Sequence, residues 1–188
     1  MEINQNNHST SYNRYPEIFN EIKEKIPKPN KILSFGCSTG LECNTLSEIY
    51  YPNSKIIGLD INEKIIAENK SKNKIKNIEY YSKIDDLSTD FDIIFVMSVL
   101  CKWPQPQLDK YTFKTFTETL QYIDKLLNKN GYLCIYNSKY LFTETKLFKK
   151  KYEIVETKHV ETGFVYKYTK NNKKINKQYP IFLFKKIS

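Results

Sequence analysis

The segment from Lys31 to Leu46, KILSFGCSTGLECNTL, constrains the fold more than any other part of the chain. An apolar run is followed by a loop of small residues and then by a helical pattern, which predicts a strand, a tight turn and a helix. Because glycine has no Cβ and tolerates positive φ, Gly36 and Gly40 let a ligand approach the backbone N–H groups of this turn. Asp60 ends the next apolar run, 20 residues after Gly40, which is the spacing of a carboxylate that binds ribose hydroxyls.

Two common phosphate-binding loops do not fit this segment. A dinucleotide fingerprint, G-x-G-x-x-G counted from Gly36, requires glycine where this chain has Ser38 and Leu41. A Walker-type loop requires Gly-Lys-Ser/Thr after four intervening residues, but here the next glycine follows after three and precedes Leu41. The residues therefore favour a nucleoside ligand that has no pyrophosphate.

The loop resembles that of the class I S-adenosylmethionine (SAM) dependent methyltransferases. In that family the first strand and loop commonly read hydrophobic-Asp-hydrophobic-Gly-Cys-Gly-small-Gly, a pattern that Leu33 to Gly40 follows with two departures. Ser34 replaces the acidic residue and Ser38 replaces the middle glycine. The variant Gly-Cys-Ser-Thr-Gly-x-Glu, from Gly36 to Glu42, looks most like the loop of the chemotaxis-receptor glutamate methyltransferases, and that likeness is confined to this short stretch.

The resemblance implies that SAM is the cofactor and indicates which residues hold it. It places Asp60 at the ribose, Ile61 against the adenine face and Asp85 near the adenine amino group, although a helix N-cap role fits Asp85 or Asp86 equally well. The remaining cofactor-binding residues that we expect from the loop and from the end of the fourth strand are Gly36, Cys37, Ser38, Gly40, Met97 and Ser98.

Arg14 is the only arginine in the chain. Its planar guanidinium can bind a carboxylate through two hydrogen bonds, which a lysine cannot reproduce. Because Ser34 supplies no acid at the methionine end, we expect Arg14 to bind the methionine carboxylate of SAM. A surface arginine without a ligand is the alternative that the sequence leaves open.

The acceptor side is expected where the fourth and fifth strands end, since ligands bind outside the carboxyl ends of parallel strands. Trp103, the only tryptophan, follows the fourth strand and is a candidate either for substrate stacking or for core packing. Tyr136 and Lys139 follow the fifth strand and are candidates for a general base or for shaping the pocket. No single catalytic residue is fixed by the sequence.

The alternation of strand and helix patterns predicts an α/β fold: a mostly parallel seven-stranded sheet with helices on both faces and an antiparallel strand at the C-terminus. We expect residues 1–11 to form a flexible tail and residues 12–188 to form one methyltransferase domain, in which residues 12–27 make an N-terminal helix covering the cofactor site. The predicted elements include helices from Leu41 to Tyr51 and from Lys110 to Asn128, and strands from Tyr132 to Asn137, from Tyr152 to His159 and from Pro180 to Lys186.

Composition bears on partners and location. The net charge is +9, but 29 of the 30 basic residues are lysines spread along the chain, which favours solvated faces over a nucleic-acid surface. The basic and aromatic segment from Gly163 to Gln178 is either a flap over the substrate or a solvated insertion, and we favour the insertion. The four cysteines lack paired metal-ligand spacing and predict thiols in a reducing compartment. No apolar run approaches the roughly 18 residues of a membrane span, so we expect a cytoplasmic protein without membrane attachment or bound metal.

The expected function is transfer of the SAM methyl group to an acceptor. A small molecule is favoured, because the chain has no room for a sizeable substrate-recognition domain. Methylation of RNA or of a protein side chain stays open, and so does a SAM-binding module without catalysis. Neither the acceptor nor the oligomeric state is predicted.

Overall fold

The apolar segments of the sequence pair into one sheet in the computed structural model, which describes residues 10–102, 111–158, 163–175 and 179–188. Within these ranges the sheet has seven strands in the order β3-β2-β1-β4-β5-β7-β6. The first five are parallel to their neighbours, and β7 runs antiparallel to both β5 and β6. The strands are β1 (Lys31–Phe35), β2 (Lys55–Leu59), β3 (Ile78–Tyr81), β4 (Phe91–Met97), β5 (Leu127–Tyr136), β6 (Tyr152–Ile154) and β7 (Leu183–Lys186). The predicted fold class is confirmed.

Helices cover both faces of the sheet because the central strands are apolar on both sides. On one face, Ile18, Phe19 and Ile66 pack in one apolar cluster with the strands. On the other face, Phe116 and Leu120 pack in a second cluster. The helices are α1 (Pro16–Lys25), α2 (Leu41–Thr45), α3 (Glu63–Lys72), α4 (Phe113–Leu126) and α5 (Lys146–Lys151).

Side-chain caps set several helix boundaries. Proline stands at the start of α1, where its missing N–H costs no hydrogen bond. The Asn62 carboxamide caps α3 by accepting from Ile65 N (3.2 Å), and the Thr112 hydroxyl caps α4 by accepting from Thr115 N (3.1 Å). The helix predicted from Leu41 to Tyr51 is α-helical only to Thr45 and continues as a π-helical turn over Leu46–Tyr50.

The boundary between α4 and β5 differs from the prediction. The sequence placed the end of the helix at Asn128 and the start of the strand at Tyr132, whereas β5 begins at Leu127, which pairs with Phe91. The Lys186 ammonium in β7 donates to the carbonyl oxygens of Asp124 (2.6 Å) and Leu127 (2.9 Å), and so satisfies acceptors at the C-terminus of the helix. A residue 59 to 62 positions away in the chain therefore stabilises this boundary.

The C-terminal part of the chain also departs from expectation. The strand predicted from Tyr152 to His159 ends at Ile154, and the strand predicted from Pro180 begins at Leu183. Residues 163–175, which we call the covering segment, pack on the sheet domain. Tyr168 pairs with Tyr140 in an isolated parallel β-bridge, and Tyr168 N donates to Lys139 O at 2.8 Å. Val165 and Tyr168 are buried, whereas residues 170–174 are exposed. The expectation of a solvated insertion is therefore wrong for residues 163–168 and agrees with the exposure of residues 170–174.

In the described parts of the chain, no helix combines the length and the apolar character needed to cross a bilayer.

Candidate cofactor and acceptor site

The loop after β1 has the backbone geometry that its glycines predict. Gly36 and Gly40 have φ of +79° and +80°, and Ser38 between them has φ of +49°. A Cβ on Gly36 would lie 2.5 Å from the Val99 side chain, and one on Gly40 would lie 2.5 Å from the Tyr80 hydroxyl. Both positions therefore exclude a side chain on steric as well as conformational grounds.

Hydrogen bonds fix the glycine loop against β2. The carbonyl of Leu59 accepts from Gly36 N (2.7 Å) and from Cys37 N (3.0 Å). Ser38 O accepts from the Asn69 carboxamide of α3 at 2.7 Å. The loop is thus held by hydrogen bonds to β2 and to α3, the helix that follows β2. These contacts preorganise the loop for a ligand.

Asp60 lies directly beyond β2 and joins the loop to the next turn. Its Oδ2 accepts from Ser38 N and its Oδ1 accepts from Asn62 N, each at 3.0 Å. A carboxylate has about four acceptor sites on its two oxygens, so both oxygens retain capacity for further donors. The arrangement suits a pair of ribose hydroxyls.

Cys37 contributes to the loop through its backbone. Its side chain is 3% exposed, and its sulfur would lie 2.9 Å from a Cβ on Gly58. A hydrogen bond with Cys43, together with burial, raises the pKa of the Cys37 thiol well above its ordinary value. The thiol is therefore neutral and packed against β2, and only the peptide unit of Cys37 is suited to ligand contact.

Polar side chains meet where β4 and β5 end. The Ser98 hydroxyl shares a hydrogen bond with the Tyr15 hydroxyl (3.0 Å) and accepts from the Asn137 carboxamide (3.0 Å). Ser98 and Asn137 have positive φ, 61° and 54°, a backbone conformation that non-glycine residues adopt at a cost. Met97, just before this cluster, is 8% exposed and packs in the core.

The covering segment reaches this polar cluster. Phe164 N donates to the Asn137 carboxamide oxygen at 3.1 Å, and a Cβ on Gly163 would lie only 1.9 Å from that oxygen. The Arg14 guanidinium lies 5.7 Å from the centre of the Phe164 ring and 5.2 Å from that of Tyr15. The segment before α1 and the covering segment therefore lie together over the ends of β4 and β5.

Tyr136, a predicted acceptor-side residue, lies beneath these two segments. Its ring packs edge-on against Tyr15 with 5.0 Å between ring centres, and its Cζ would lie 3.3 Å from a Cβ on Gly163. The side chain is buried. Its position therefore suits shaping a pocket at the end of β5.

Glu42 is a site residue that the sequence interpretation did not select. Its Oε1 accepts from the Ser34 hydroxyl at 2.7 Å. Burial raises the pKa of the Glu42 carboxyl to about 7, against the opposing effects of the Ser34 hydrogen bond and the Arg14 charge. The signal was present in the sequence, because Glu42 is the glutamate of the Gly-Cys-Ser-Thr-Gly-x-Glu variant.

The remaining predicted site residues differ in how well their positions agree with the predicted roles. Ile61 is partly exposed beside Asp60, and Asp85 lies exposed in a 3-10 turn (Ile84–Asp86) after β3. Lys139 does not point to the mouth of the site as expected: it is 2% exposed, and its ammonium donates to Tyr111 O at 2.7 Å. The positive φ of Asn137 breaks the alternation of side chains along β5, and this redirects Lys139. Trp103 lies outside the described residues.

The four cysteine side chains are buried, and those of Cys37 and Cys43 form a hydrogen bond with each other. Among the residues that the structure describes, no group of three or more histidine, cysteine, aspartate or glutamate side chains is arranged to hold a metal ion.

The strand order together with this site defines a class of protein. The glycine loop and Asp60 lie at the carboxyl ends of β1 and β2, beside the point where the strand order reverses between β1 and β4, which is where open α/β sheets bind ligands. A family model described as a methyltransferase domain matches residues 27–185. The chain belongs to this family, the SAM-dependent methyltransferases of the class I fold. No curated protein sequence matches the chain.

Solved structures are similar in fold. SAM-bound CalS10, an amino pentose methyltransferase from Micromonospora echinaspora, is 14% identical with a TM-score of 0.51, over 69% of this chain and 51% of that chain. The plantazolicin methyltransferase BpumL is 17% identical with a TM-score of 0.50, over 73% and 52%. PKMT2 from Rickettsia typhi is 27% identical with a TM-score of 0.46, over 64% and 24%. The chain thus spans about half of the first two proteins and about a quarter of the third, and the first two show the shared fold.

The predictions of the family, the fold class and SAM as its cofactor are confirmed. The residues at the site fit that cofactor chemically. A carboxylate with remaining acceptor capacity suits the ribose. A guanidinium and a carboxyl near each other, Arg14 and Glu42, suit a methionine end that carries both a carboxylate and an ammonium group.

Proposed function

We propose that this protein transfers the methyl group of SAM to a small-molecule acceptor. The observation that carries the cofactor half of the proposal is the hydrogen-bonded unit of the glycine loop and Asp60, in which Ser38 N donates to the carboxylate at 3.0 Å. This unit supports the proposal because it holds a carboxylate suited to ribose hydroxyls next to a loop in which a Cβ at Gly36 or Gly40 would displace Val99 or Tyr80.

In the proposed site, Asp60 accepts hydrogen bonds from the ribose hydroxyls and the peptide units of Gly36 to Gly40 lie against the cofactor. Arg14 binds the methionine carboxylate, since its guanidinium already lies over the site between Tyr15 and Phe164. Ile61 packs on the adenine, Asp85 accepts from its amino group, and Met97 and Ser98 border the cofactor from β4.

The cofactor supplies a methyl group on a positively charged sulfur, which is already activated for displacement. The protein therefore contributes mainly by positioning, and alignment of two reactants can supply several kcal/mol of the barrier. Tyr15, Ser98 and Asn137 form a rigid hydrogen-bonded group at the strand ends. Burial raises the pKa of the Tyr15 phenol, so this group is neutral at neutral pH and orients an acceptor through hydrogen bonds.

A small acceptor is supported by the two segments that cover the end of the sheet. Tyr15 is hydrogen-bonded to Ser98, and Phe164 N of the covering segment donates a hydrogen bond to Asn137. An acceptor has to reach the strand ends between these contacts. That access suits a compact molecule better than a folded protein surface or an RNA helix.

The acceptor class is tested with SAM labelled with tritium on its methyl group, incubated with the protein and a fractionated cell extract. We expect label in the low-mass fraction and, at a SAM concentration below the wild-type dissociation constant, at least about tenfold less label with the Asp60→Asn variant. The matched control is Glu68→Gln, which changes an exposed carboxyl on α3. Label retained with macromolecules, and removed by ribonuclease or by protease, would contradict a small acceptor.

A macromolecular acceptor is the second candidate, and one observation favours it. Tyr166 is 55% exposed on the covering segment, and the Lys174 ammonium lies 3.5 Å from the centre of its ring. Exposed aromatic rings with nearby cations are typical of single-stranded nucleic-acid binding. In a gel-shift titration, this candidate predicts salt-sensitive RNA binding that Tyr166→Ala weakens. A SAM-binding module without catalysis predicts instead that SAM binds and no fraction yields S-adenosylhomocysteine.

A further inference from the structure

We propose that Lys167 binds a carboxylate of the acceptor, so that the molecule methylated by this protein is a small carboxylic acid. The inference rests on the proposed function, because it assumes that the acceptor lies at the carboxyl ends of β4 and β5. It adds the chemical class of the acceptor and names a residue that selects it.

The covering segment runs alongside the residues that follow β5 and places Lys167 there. Phe164 N donates to the Asn137 carboxamide oxygen at 3.1 Å, and the Lys167 ammonium donates to Ser138 O at 2.9 Å. The next residue, Tyr168, is held by a backbone hydrogen bond to the same stretch of chain. Because the segment is attached on both sides of Lys167, the ammonium is held at a fixed place, one residue from Asn137.

This place lies at the edge of the sheet where we expect the acceptor. Ser138 follows Asn137, whose carboxamide donates to the Ser98 hydroxyl at 3.0 Å. On the side of β4, the Cys101 thiol donates to Ser98 O at 3.5 Å and is close enough to act on the pKa of the Lys167 ammonium. The ammonium therefore lies between the loops that follow β4 and β5, next to the hydrogen-bonded group that is proposed to orient the acceptor.

The Lys167 ammonium has no carboxylate partner in the part of the chain that the structure describes. Its hydrogen bonds go to the carbonyl oxygen (2.9 Å) and the hydroxyl (3.4 Å) of Ser138, and both acceptors are neutral. The Cys101 thiol acts as a hydrogen-bond donor in this arrangement, so it does not supply the negative charge. Because buried charges in proteins are paired and an ammonium has three donors, we infer that the missing anion comes from a ligand.

Lys167 carries its charge at neutral pH. Burial lowers the pKa of the ammonium to about 8, and Cys101 acts in the opposite direction. A group with this pKa is protonated in about nine molecules of ten at pH 7. The site therefore offers a positive charge that water solvates poorly, and such a charge is attracted strongly to an anion.

Tyr111 provides a second donor in the same region. Its side chain is 1% exposed, and among the described residues its hydroxyl has no hydrogen-bond partner. Cys101 acts on the pKa of the Tyr111 phenol as it acts on that of the Lys167 ammonium, so both groups lie near this thiol. A buried hydroxyl without a partner is costly, and an oxygen of the bound carboxylate is suited to accept from it.

The available positive charge indicates a carboxylate and not a phosphate. The Lys139 ammonium is already engaged by Tyr111 O at 2.7 Å, so of these two described lysines Lys167 is the one left for the ligand. One ammonium matches the single charge of a carboxylate, whereas a phosphate monoester carries nearly two at pH 7. A carboxylate paired with an ammonium is a poor nucleophile, because the ion pair withdraws charge from its oxygens. The methyl group is therefore transferred to another atom, and the product is still a carboxylic acid.

The chemistry of the wild-type product tests the inference. SAM labelled with tritium on its methyl group is incubated with the protein and the low-mass fraction of a cell extract, and the labelled product is then treated with acidic methanol. This reagent converts carboxylic acids to methyl esters and leaves phosphate monoesters unchanged. We expect the labelled product to elute later in reversed-phase chromatography and to gain the mass of at least one CH2 group.

A variant tests the role of the residue. Lys167→Met removes the ammonium and keeps the length of the side chain. In a dilution series of the low-mass fraction, it should need at least about tenfold more acceptor for half-maximal rate, with an unchanged calorimetric dissociation constant for S-adenosylhomocysteine. Lys167→Arg keeps the charge and should recover part of the loss. Lys173→Met, at an exposed position of the same segment, should behave like the wild type.

The outcomes separate this inference from the proposed function. A labelled product that does not react with acidic methanol, or wild-type dependence on the acceptor in Lys167→Met, overturns the inference and leaves the proposed function standing. If Lys167→Met no longer binds S-adenosylhomocysteine, the chemistry of the wild-type product decides alone. A low-mass fraction that never takes up label, although the wild type binds S-adenosylhomocysteine, overturns both.

Discussion

Gly40 shows at the scale of one residue how the loop depends on the absence of a side chain. It has φ of +80°, and a Cβ there would lie 2.5 Å from the Tyr80 hydroxyl. We expect Gly40→Ala to lower the free energy of unfolding by at least about 1–2 kcal/mol, the cost of a left-handed conformation for an L-residue. Urea denaturation measures this value, and calorimetry should show weaker SAM binding.

The loss of stability at Gly40 has two causes, the positive φ and the contact with the Tyr80 hydroxyl, and they can be measured separately. Adding Tyr80→Phe to Gly40→Ala removes the nearest oxygen but leaves the backbone strain. We expect the double variant to regain part of the lost stability, measured against Tyr80→Phe alone. If Gly40→Ala is as stable as the wild type, the described loop geometry is wrong.

At the residue scale, the sequence predicted those site residues whose position follows from the local chain. Gly36 and Gly40 carry their conformational meaning with them, and Asp60 follows directly from the end of an apolar strand. Two residues could not be placed in this way. Glu42 is brought to the loop by its contact with Ser34. The direction of Lys139 depends on the positive φ of Asn137, a conformation that asparagine tolerates but that its presence alone does not predict.

At the scale of elements, Asp124 joins α4 to α5, β6 and β7. Its carboxylate binds the Lys151 ammonium (2.7 Å), the Tyr152 hydroxyl (2.9 Å) and the Lys186 ammonium (3.1 Å). Burial opposes the charged form, but these three hydrogen-bonded partners hold the pKa of Asp124 below its ordinary value of 3.8. The group therefore stabilises the packing of the C-terminal elements on α4.

Asp124→Asn should cost about 3 kcal/mol at pH 7, the lower end of the range for a broken buried ion pair, because it leaves the buried Lys186 ammonium without its carboxylate whereas Lys151 is partly exposed. Because the folded pKa is lowered, this stabilisation is complete above pH 3.8 and is lost as the pH falls through the folded pKa. Denaturation at several pH values measures the difference. Glu118→Gln, in an exposed pair with Lys114 on the same helix, should cost less than about 1 kcal/mol; equal costs for the two variants would contradict this assignment.

The covering segment is the element that sequence patterns described least well. Its contacts are single residues far apart in the chain, such as Phe164 N with Asn137 and Tyr168 with Tyr140. Periodicity reports the burial of regular strands and helices and does not report such bridges. Periodicity also does not predict where α4 ends, because hydrogen bonds from Lys186 in β7 to its last carbonyl oxygens stabilise that boundary.

Gly163→Ala should loosen the covering segment, because the added Cβ would lie 1.9 Å from the Asn137 carboxamide oxygen at a residue with φ of +67°. We expect trypsin to cleave the lysines from Lys167 to Lys174 faster than in the wild type. Mass spectrometry of timed samples measures this rate. Asn171→Ala, at an exposed position of the same segment, should be cleaved at the wild-type rate. An unchanged rate for Gly163→Ala would show that the segment is not held by this contact.

At the scale of the whole molecule, the strand order brings together residues that are distant in the sequence. The loop after β1, Asp60 after β2 and Ser98 after β4 share the carboxyl edge of the sheet because the strands between them are parallel. The βα order predicted this arrangement, since parallel strands need crossover helices and place their carboxyl ends on one side. The segment around Arg14 was expected over the cofactor site from its own residues, whereas the packing of the covering segment around Phe164 was not predicted.

The central claim is that this edge binds SAM through the glycine loop and Asp60, and calorimetric titration of SAM tests it most directly. We expect saturable one-to-one binding to the wild type and to Glu68→Gln. Asp60→Asn should weaken binding by about 1.5–3 kcal/mol, more than tenfold, because charge-assisted hydrogen bonds to the ribose are lost. A folded wild-type protein that gives no binding heat, or an Asp60→Asn variant with the wild-type dissociation constant, would contradict the account.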